Sequence, residues 1–303
     1  MKNTDKLIDI YREKLDLQIA HFELIEHEDA MVAPVYKILK ESGEQFILKI
    51  CTNRKHYLRE QLYLNYFFGQ IPVPKIIDFI DPENNIPGAI LMEYINGSVI
   101  KITDFNATIA HQSGAILAKI HNNRTNGYGE LIKSSKLDSN PVQSFALKFE
   151  EGLGECIGHL PNQLIEQIKS YFYQNINLLS LVDGPCVVHY DFRPGNIIVQ
   201  NNKVLAIIDW SSSRSSFAEE DFCSFEHVEW LIDSNTKKEF LEGYASVRPI
   251  PNYSKVMPLL RISKAVTSIG FIIKQGIFNN NRNRWYQLNL NFLKAFFLND
   301  TQA

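Results

Sequence analysis

The sequence predicts an α+β protein with two unequal lobes: a small, mostly antiparallel sheet over residues 1–97 and a larger, mainly helical lobe over residues 98–303. Short apolar runs separated by turns dominate the first part, whereas long stretches with helical spacing dominate the second. A third observation is a set of three short apolar runs within residues 186–213, which predicts a β-hairpin inside the helical lobe.

The first lobe contains two helices and two pairs of strands. We predict a helix over residues 5–16 with Thr4 as its N-cap, and a second helix over Lys55–Phe68 that ends before Pro72. The predicted strands are Val35–Leu39, Phe46–Ile50, Ile76–Ile80 and Ala89–Tyr94.

The second lobe is predicted to be helical on either side of the hairpin. Apolar side chains at helical spacing predict helices over Asn106–Asn122, Pro161–Leu181, Ser254–Gln275 and Arg282–Leu298. We interpret His121 as a helix-end residue with local hydrogen bonds rather than as a catalytic group.

Length and composition exclude several classes of protein. The chain has 303 residues, of which 45% are apolar and 21% are charged, and this is typical of a globular protein with a substantial core. A net charge of −3 argues against an obligate nucleic-acid binder. The cysteines lack C-x-x-C pairing, which indicates neither zinc nor a disulfide framework; they are Cys51, Cys156, Cys186 and Cys223.

The sequence also predicts where the protein is located. The N-terminus lacks the apolar core of a signal peptide. No run approaches the roughly 18–20 apolar residues of a membrane span. We therefore expect a cytoplasmic protein, monomer or homodimer, with no membrane partner.

The predicted hairpin places polar side chains at strand ends. Its apolar runs are followed or preceded by His189, Asp191, Asn196 and Asp209. Two carboxylates and one carboxamide make a hard-oxygen site, which suits Mg²⁺ holding a nucleoside triphosphate. We therefore expect the hairpin to present these four side chains together to a cleft.

Each of these residue types could perform a specific chemical task. Asp191 could accept the proton of an attacking hydroxyl, Asn196 and Asp209 could be metal ligands, and Arg193 could reach a γ-phosphate. The alternative is that Asp and Asn here only form turns by bonding their own backbone. The spacing H-x-D-x-x-x-x-N, followed by strand, turn, strand and Asp, favours the catalytic and metal loops of kinases.

In this region the sequence resembles the aminoglycoside phosphotransferase and choline kinase-like family of small-molecule kinases. The matching segments are His189-Tyr190-Asp191, Pro194-Gly195-Asn196 and Ile208-Asp209-Trp210, with Tyr190 in place of the usual glycine. The resemblance implies a bilobal, protein-kinase-like fold. It also implies transfer of a phosphoryl group from ATP, with GTP not excluded, to a hydroxyl of a small molecule in the presence of Mg²⁺.

The resemblance assigns nucleotide contacts to the first lobe. Lys49 matches the strand lysine that touches the phosphates, and Glu60 matches its helix partner. Met92 matches the gatekeeper, and the Glu93 carbonyl and Ile95 amide match the groups that hold the base. Outside this context Lys49 would be read as a solvated lysine and the segment at Met92 as an edge strand. No glycine-rich loop is present, and Asp29–Ala33 is the candidate for the turn that covers the phosphates.

The acceptor side is predicted less directly. Glu226, Glu229 and Asp233 are spaced i, i+3, i+7 and could line a face that attracts a cationic acceptor. The alternative is a solvated helix face. An aminoglycoside or another amino sugar is the first candidate, and choline, homoserine or a sugar metabolite are alternatives.

The segment after Asp209 bears on the class of kinase. Asp221 resembles the family aspartate that braces the catalytic loop, and the alternative is an ordinary carboxylate at a helix start. The interval from Asp209 to Asp221 is too short for the activation segment of a protein kinase. A protein kinase or a nucleotide-binding pseudokinase therefore ranks below a small-molecule kinase.

Overall fold

The computed structural model describes residues 2–25, 33–83, 85–132, 136–276 and 284–299. The strands are β1 (His21–Leu24), β2 (Val35–Leu39), β3 (Gln45–Cys51), β4 (Ile76–Ile80), β5 (Gly88–Glu93), β6 (Ser98–Val99), β7 (Cys186–Val188), β8 (Ile197–Gln200), β9 (Lys203–Ile207) and β10 (Arg214–Ser216). The helices are α1 (Lys2–Lys14), α2 (Arg54–Phe67), α3 (Ala107–His121), α4 (Pro141–Cys156), α5 (Asn162–Asn175), α6 (Glu219–Ser224), α7 (Trp230–Ile232), α8 (Lys237–Ala245), α9 (Met257–Lys274) and α10 (Arg284–Asn299).

An antiparallel sheet forms the first lobe, with strand order β1-β2-β3-β5-β4. Tyr11 of α1 is fully buried in a cluster with Ile38, Leu48 and Leu91, whereas Tyr57 of α2 belongs to the main core. The sheet thus lies between two hydrophobic clusters. The α+β class and the four predicted strands are confirmed, and the lobe boundary at Gly97 stays a prediction.

Two details of the first lobe differ from the sequence prediction. Helix α1 begins at Lys2, so Thr4 lies inside the helix and the prediction of Thr4 as N-cap is wrong. Strand β1 was not predicted, because its four residues are mostly exposed and show no alternation of buried and exposed positions.

The second lobe contains helices that the sequence analysis missed. Helix α4 follows Asn140, whose side chain accepts a hydrogen bond from the Val142 amide, and Pro141 occupies its first turn. This cap and proline are a readable start signal, but Gly152 and Gly154 lower the helical propensity of the segment. The predicted helix at 161–181 is α5 followed by a 3₁₀ helix over Ile176–Leu181.

Small three- and two-stranded sheets support the loops of the second lobe. Strands β8 and β9 form the predicted hairpin, and β6 pairs with β8 to attach the linker between the lobes. Strand β10 pairs with β7 through the serine-rich segment, which was not predicted as a strand. In the part of the chain that the structure describes, no helix has the length and apolar character needed to cross a membrane.

Helices α3 and α8 touch at two glycines. A Cβ atom added at Gly114 would lie 1.9 Å from the carbonyl oxygen of Phe240, and one added at Gly243 would lie 1.9 Å from that of His111. Gly114→Ala is therefore expected to lower the free energy of unfolding by at least about 1–3 kcal/mol, since the backbones must separate. Urea denaturation followed by circular dichroism measures this.

Gly154 provides the matched control for this variant. A Cβ added there meets nothing within 4 Å. Gly154→Ala should therefore be neutral or should stabilise the helix by about 0.5–1 kcal/mol. Equal stability of the two variants would contradict the role of Gly114 as a contact point between the helices.

Candidate active site

Asp191 lies in the loop between β7 and β8, with its carboxylate fixed by a neighbour. Asn196 Nδ2 donates hydrogen bonds of 2.8 Å to both the Asp191 carbonyl oxygen and Oδ2. Arg193 Nε lies 3.4 Å from Oδ1, and Arg193 itself directly precedes the 3₁₀ turn Pro194–Asn196. The Asp191 side chain remains 35% exposed, so it is oriented and still accessible to a ligand.

Asp209 follows β9 and lies close to this loop. Its backbone is left-handed, with φ of 63°, which turns the chain sharply at the end of the strand. The Ile208 amide donates to the Asn196 carbonyl at 3.0 Å, so the two loops are joined. Burial alone would raise the pKa of the Asp209 carboxyl, but the Lys49 ammonium and the Ser211 hydroxyl outweigh it and lower the pKa.

Lys49 joins the two lobes through its ammonium group. Its Nζ lies 2.8 Å from Glu60 Oε2 and 2.8 Å from Asp209 Oδ1. The pairing of β3 with β2 and β5 fixes Lys49 in the centre of the sheet, opposite Val35 and Ile90. Burial favours the neutral amine, but the two carboxylates prevail and raise the pKa of Lys49.

Asn196 and Asp209 fit a magnesium ion together with phosphate oxygens. No described residue donates to Asn196 Oδ1, and the Asp209 side chain is 42% exposed. Among the described residues, no cluster of three or more His, Cys, Asp or Glu could hold a metal by itself. Mg²⁺ commonly takes only one or two protein oxygens and completes its shell with phosphate and water, so this pair is sufficient.

His189 does not face the cleft, contrary to the sequence prediction. Its residue is fully buried, its Nε2 donates to the Ile208 carbonyl at 3.1 Å, and its ring packs against Trp210 with centroids 4.6 Å apart. Burial lowers the pKa of His189, which keeps the imidazole neutral. The His189 side chain therefore holds the loop of Asp209 in place.

Asp221 is a fully buried hub under the loop of Asp191. It accepts hydrogen bonds from the amides of His189 and Tyr190 at 2.8 and 2.6 Å. His121 Nε2 lies 3.0 Å from Asp221 Oδ2, and His121 Nδ1 lies 2.9 Å from the Tyr244 hydroxyl. The prediction of local partners for His121 is wrong, because both partners are far away in the sequence.

Tyr190 adopts the backbone conformation that usually requires glycine. Its φ is 72°, in the left-handed region, and this conformation costs a residue with a side chain roughly 1–2 kcal/mol. The hydrogen bond from the Tyr190 amide to Asp221 holds the peptide in place. Tyrosine thus adopts a left-handed backbone at the position where the pattern quoted in the sequence analysis has glycine.

The linker between the lobes carries the predicted base-binding groups. Met92 is buried in β5, whereas Glu93 and Ile95 are half-buried. The Ile95 amide has no hydrogen-bond partner within the described ranges, so it is available to a ligand. A Cβ at Gly97 would lie 2.8 Å from the Val199 carbonyl oxygen, so the linker passes tightly over β8. The predicted covering turn, Asp29–Ala33, lies outside the described residues except for Ala33.

The acidic face predicted for the acceptor does not form as a regular helix face. A π-helical turn over Phe225–Glu229 changes the periodicity, and the helix ends at Ile232, before Asp233. Glu226 Oε1 pairs with Lys237 Nζ at 2.6 Å, and Glu229 is only 7% exposed. These three carboxylates are not a shared surface, because a spacing of i, i+3, i+7 marks one face only in a regular α-helix.

An arginine that sequence reasoning missed also ties the lobes together. Arg59, next to Glu60 on α2, donates from Nε to Glu130 Oε2 at 2.8 Å and from Nη1 to the Ser211 carbonyl at 3.1 Å. No local pattern indicates these partners, since they are distant in the sequence. The contact positions α2 and thus Glu60 over the site.

Comparison with known proteins identifies a family and several similar folds. The model of the family described as phosphotransferase enzyme family matches residues 27–259. No curated protein matches the chain. One similar solved structure is a thermostable mutant of aminoglycoside phosphotransferase APH(4)-Ia in ternary complex with AMP-PNP and hygromycin B, with a TM-score of 0.71, 10% identity and coverage of 94% of this chain and 96% of that chain.

Two further solved structures share the fold. Spectinomycin phosphotransferase, APH(9)-Ia, in complex with ADP and spectinomycin, has a TM-score of 0.61 and 17% identity, and covers 94% of each chain. The streptomycin–ATP–APH(2'')-IIa ternary complex has a TM-score of 0.61 and 16% identity, and covers 95% of each chain. At these identities the likeness establishes the bilobal, kinase-like fold.

Proposed function

Because the chain belongs to the phosphotransferase enzyme family, we propose that it transfers the γ-phosphoryl group of ATP to a hydroxyl of a small molecule. One observation carries the proposal: Lys49 Nζ bridges Glu60 and Asp209 at 2.8 Å each, beside an accessible Asp191 that Asn196 orients. A phosphate-binding cation, two hard-oxygen ligands and a base are what phosphoryl transfer requires.

Asp191 is the proposed base. Its accessible carboxylate accepts the hydrogen bond of the acceptor hydroxyl and takes the proton as the oxygen–phosphorus bond forms and the bond to ADP breaks. Positioned general bases contribute roughly 10²–10⁴ in rate. Arg193, whose guanidinium lies beside Asp191, is placed to contact the transferring phosphoryl group.

Lys49, Asn196 and Asp209 are proposed to hold the triphosphate. Asn196 Oδ1 and Asp209 would coordinate Mg²⁺, which neutralises the β- and γ-phosphates when bound. Lys49 binds phosphate oxygens while Glu60 keeps its side chain extended. His189 maintains the position of Asp209 through the Ile208 carbonyl and does not touch the substrate.

The linker is proposed to hold the adenine. The base would lie against Met92, with its edge bonded to the Glu93 carbonyl and the Ile95 amide. The Ile95 amide, which has no hydrogen-bond partner among the described residues, supports this placement, and so do the AMP-PNP and the ADP bound in two of the similar solved structures. GTP is the alternative donor, and direct competition between the two nucleotides distinguishes them.

The acceptor class is tested with a panel of compounds. Two of the similar solved structures contain hygromycin B and spectinomycin, which supports an aminoglycoside or another amino sugar as the acceptor. The predicted acidic residues do not support it, since Glu226 is paired and Glu229 is buried. A coupled ADP-release assay with aminoglycosides, choline, homoserine and neutral or acidic sugars tests the function. If no compound raises the rate of ADP release above the rate with water alone, the result would count against the proposed function.

Lys49→Met is expected to weaken Mg-ATP use strongly. The variant removes the cation between Glu60 and Asp209 and leaves those carboxylates close together without a counter-charge. We expect kcat/KM for ATP to fall by about 10²-fold or more, because hydrogen bonds between charged groups contribute about 1.5–3 kcal/mol each. Steady-state kinetics at varied ATP measure it. Lys238→Met, at an exposed position of α8, is the control and should behave as the wild type.

A further inference from the structure

Three cationic side chains from the helical lobe surround the ring of Tyr190, the residue before Asp191. The Arg214 guanidinium carbon lies 3.6 Å from the ring centroid, Lys148 Nζ lies 4.5 Å from it, and Lys264 Nζ lies 5.9 Å from it. They come from β10, α4 and α9, which are separate elements of the chain. The fold thus brings positive charge from three directions to the start of the catalytic loop.

Among the described residues, one of these three cations has a carboxylate partner. Arg214 Nη2 lies 2.6 Å from Glu220 Oε1. Over the residues that the structure describes, neither Lys148 nor Lys264 forms an ion pair, and Lys264 donates only to the Ser224 hydroxyl at 3.0 Å. Other carboxylates of this region have their own partners: Glu226 pairs with Lys237, Asp221 accepts from the Tyr190 amide, and the partly exposed Asp191 accepts from Asn196.

The cluster is costly to the protein without a ligand. Lys148 and Lys264 are half-buried, and partly desolvated cations without a counter-charge raise the free energy of the folded state. A cation over an aromatic ring recovers only about 0.5–2 kcal/mol. Three cations cannot all take the best position over one ring, and they repel one another. The arrangement therefore favours the binding of an anion.

Close helix packing fixes the two lysines. Helices α4 and α9 approach at Gly152, where an added Cβ would lie 2.8 Å from the Cα of Thr267. Lys148 precedes Gly152 by one helical turn, and Lys264 precedes Thr267 by one turn. Both lysines are therefore held on the same side of the crossing, which limits the movement of their side-chain bases.

Arg261 extends this positive surface by one turn of α9. Its Nε is buried with no hydrogen-bond partner among the described residues, and its guanidinium lies 4.5 Å above the Phe292 ring. It lines an open pocket of about 440 Å³ with Tyr253 and Phe296, and none of the catalytic-loop residues lines that pocket. The unpaired cations thus continue from Tyr190 along one helix.

We propose that Lys148 and Lys264 bind an anionic group, a carboxylate or a phosphate ester, on the acceptor molecule. This inference rests on the proposed phosphotransferase function and names the charge of its acceptor. All the cations near Tyr190 belong to the helical lobe, whereas Lys49 and Glu60 reach Asp209 from the sheet. The anion therefore lies on the acceptor side of Asp191, and its hydroxyl is delivered to that carboxylate.

The charge of the acceptor is tested with fractionated metabolites. Compounds below about 1 kDa from a cell extract are separated by ion exchange into anionic, neutral and cationic pools, and each pool is assayed with wild-type enzyme and Mg-ATP for ADP release. We expect release with the anionic pool. Release with only the cationic or neutral pool overturns the anionic acceptor and leaves the phosphotransferase function intact. Release with no pool counts against the function, and the inference falls with it.

Lys148→Met and Lys264→Met assign the binding residues. With the active anionic pool, each is expected to raise the apparent KM for the acceptor by about tenfold to a hundredfold, with KM for ATP changed less than about twofold. The arginine variants should retain most of the affinity, because they keep the charge. Lys169→Met, on the exposed face of α5, carries the same charge change and should leave both constants unaltered.

Two further results decide against the inference. If KM for ATP rises and KM for the acceptor does not, the lysines serve the nucleotide. If both variants unfold at lower temperature and the arginine variants do not restore KM, the lysines have only a structural role. An unpaired cation at a ligand site predicts the opposite, namely thermal stability equal to or above that of the wild type.

A matched series then distinguishes the two anionic groups. Glycerol, glycerate and glycerol 3-phosphate share two adjacent hydroxyls and differ at the third carbon, which carries a hydroxyl, is a carboxylate or carries a phosphate ester. We expect one of the two anions to inhibit acceptor turnover competitively, and less so in Lys148→Met, whereas glycerol does not. Equal inhibition by all three compounds would show that the site does not select charge and would overturn the inference.

Discussion

Asp191→Asn is expected to lower kcat by about 10²–10⁴, while the dissociation constant for Mg-ATP stays within about threefold of the wild-type value. The amide keeps the volume and the hydrogen bond to Asn196 but cannot take a proton from the attacking hydroxyl. The nucleotide contacts proposed for Lys49, Asn196 and Asp209 remain, so binding is retained. Single-turnover kinetics with the active acceptor, together with calorimetric titration of Mg-ATP, measure the two quantities separately.

The control for this variant is Asp9→Asn on α1, an exposed aspartate across the sheet from the cleft. It makes the same chemical change and should leave kcat unaltered. An Asp191→Asn enzyme with wild-type kcat would remove Asp191 from the proposed mechanism. A variant that loses Mg-ATP binding as well as turnover would instead make Asp191 a ligand of the metal.

The parts of the site that are local in sequence could be predicted. Asp191, Asn196 and Asp209 sit on one hairpin, so their spacing alone indicated that they meet. Lys49 and Glu60 lie on a strand and the helix that follows it, and the resemblance supplied their pairing. In the structure Lys49 Nζ lies 2.8 Å from Asp209 Oδ1, which is the proximity expected between the strand lysine and the metal loop.

The parts that depend on distant contacts could not be predicted. His189 has the same spacing whether it faces the cleft or the core, and only the packing of Trp210 against it shows that it is buried. The partners of His121 come from α6 and α8. The cations around Tyr190 come from three elements, so no window of sequence contains them. Likewise, the π-helical turn at Phe225–Glu229 follows from packing and leaves no periodic signal.

The largest effect on stability is expected from Asp221→Ala. The carboxylate accepts hydrogen bonds from the amides of His189 and Tyr190 and from the Nε2 of His121; Asp221, His189 and His121 have no exposed surface, and Tyr190 is half-buried. Its removal leaves three buried donors without an acceptor, at about 1–3 kcal/mol each before the structure relaxes. We expect the free energy of unfolding to fall by about 3–5 kcal/mol, measured by chemical denaturation at pH 7.

The alternative interpretation of Asp221 as an ordinary helix-start carboxylate predicts a loss below about 1 kcal/mol. Glu166→Gln, an exposed carboxylate on α5, is the control and should cost almost nothing. Because Tyr190 depends on Asp221 to hold its left-handed backbone, the variant should also lower kcat at temperatures where it is folded. Full stability of the variant would show that Asp221 is not a structural hub. Lost stability with unchanged kcat would show that Asp221 does not support the catalytic loop.

The difference in free energy of unfolding between the wild type and Asp221→Ala should depend on pH, because Asp221 is charged. Burial alone would raise the pKa of its carboxyl, but the hydrogen bonds from His121 and the loop amides outweigh burial and lower the pKa. A carboxyl with a lowered folded-state pKa contributes stability that is complete above the unfolded-state value, near about 3.9, and is lost as the pH falls through the folded-state pKa. The gap between wild type and Asp221→Ala should therefore be constant from pH 7 to about pH 5 and narrow below about pH 4. A gap that instead narrows between pH 7 and pH 5 would assign the stabilisation to a histidine and not to the aspartate.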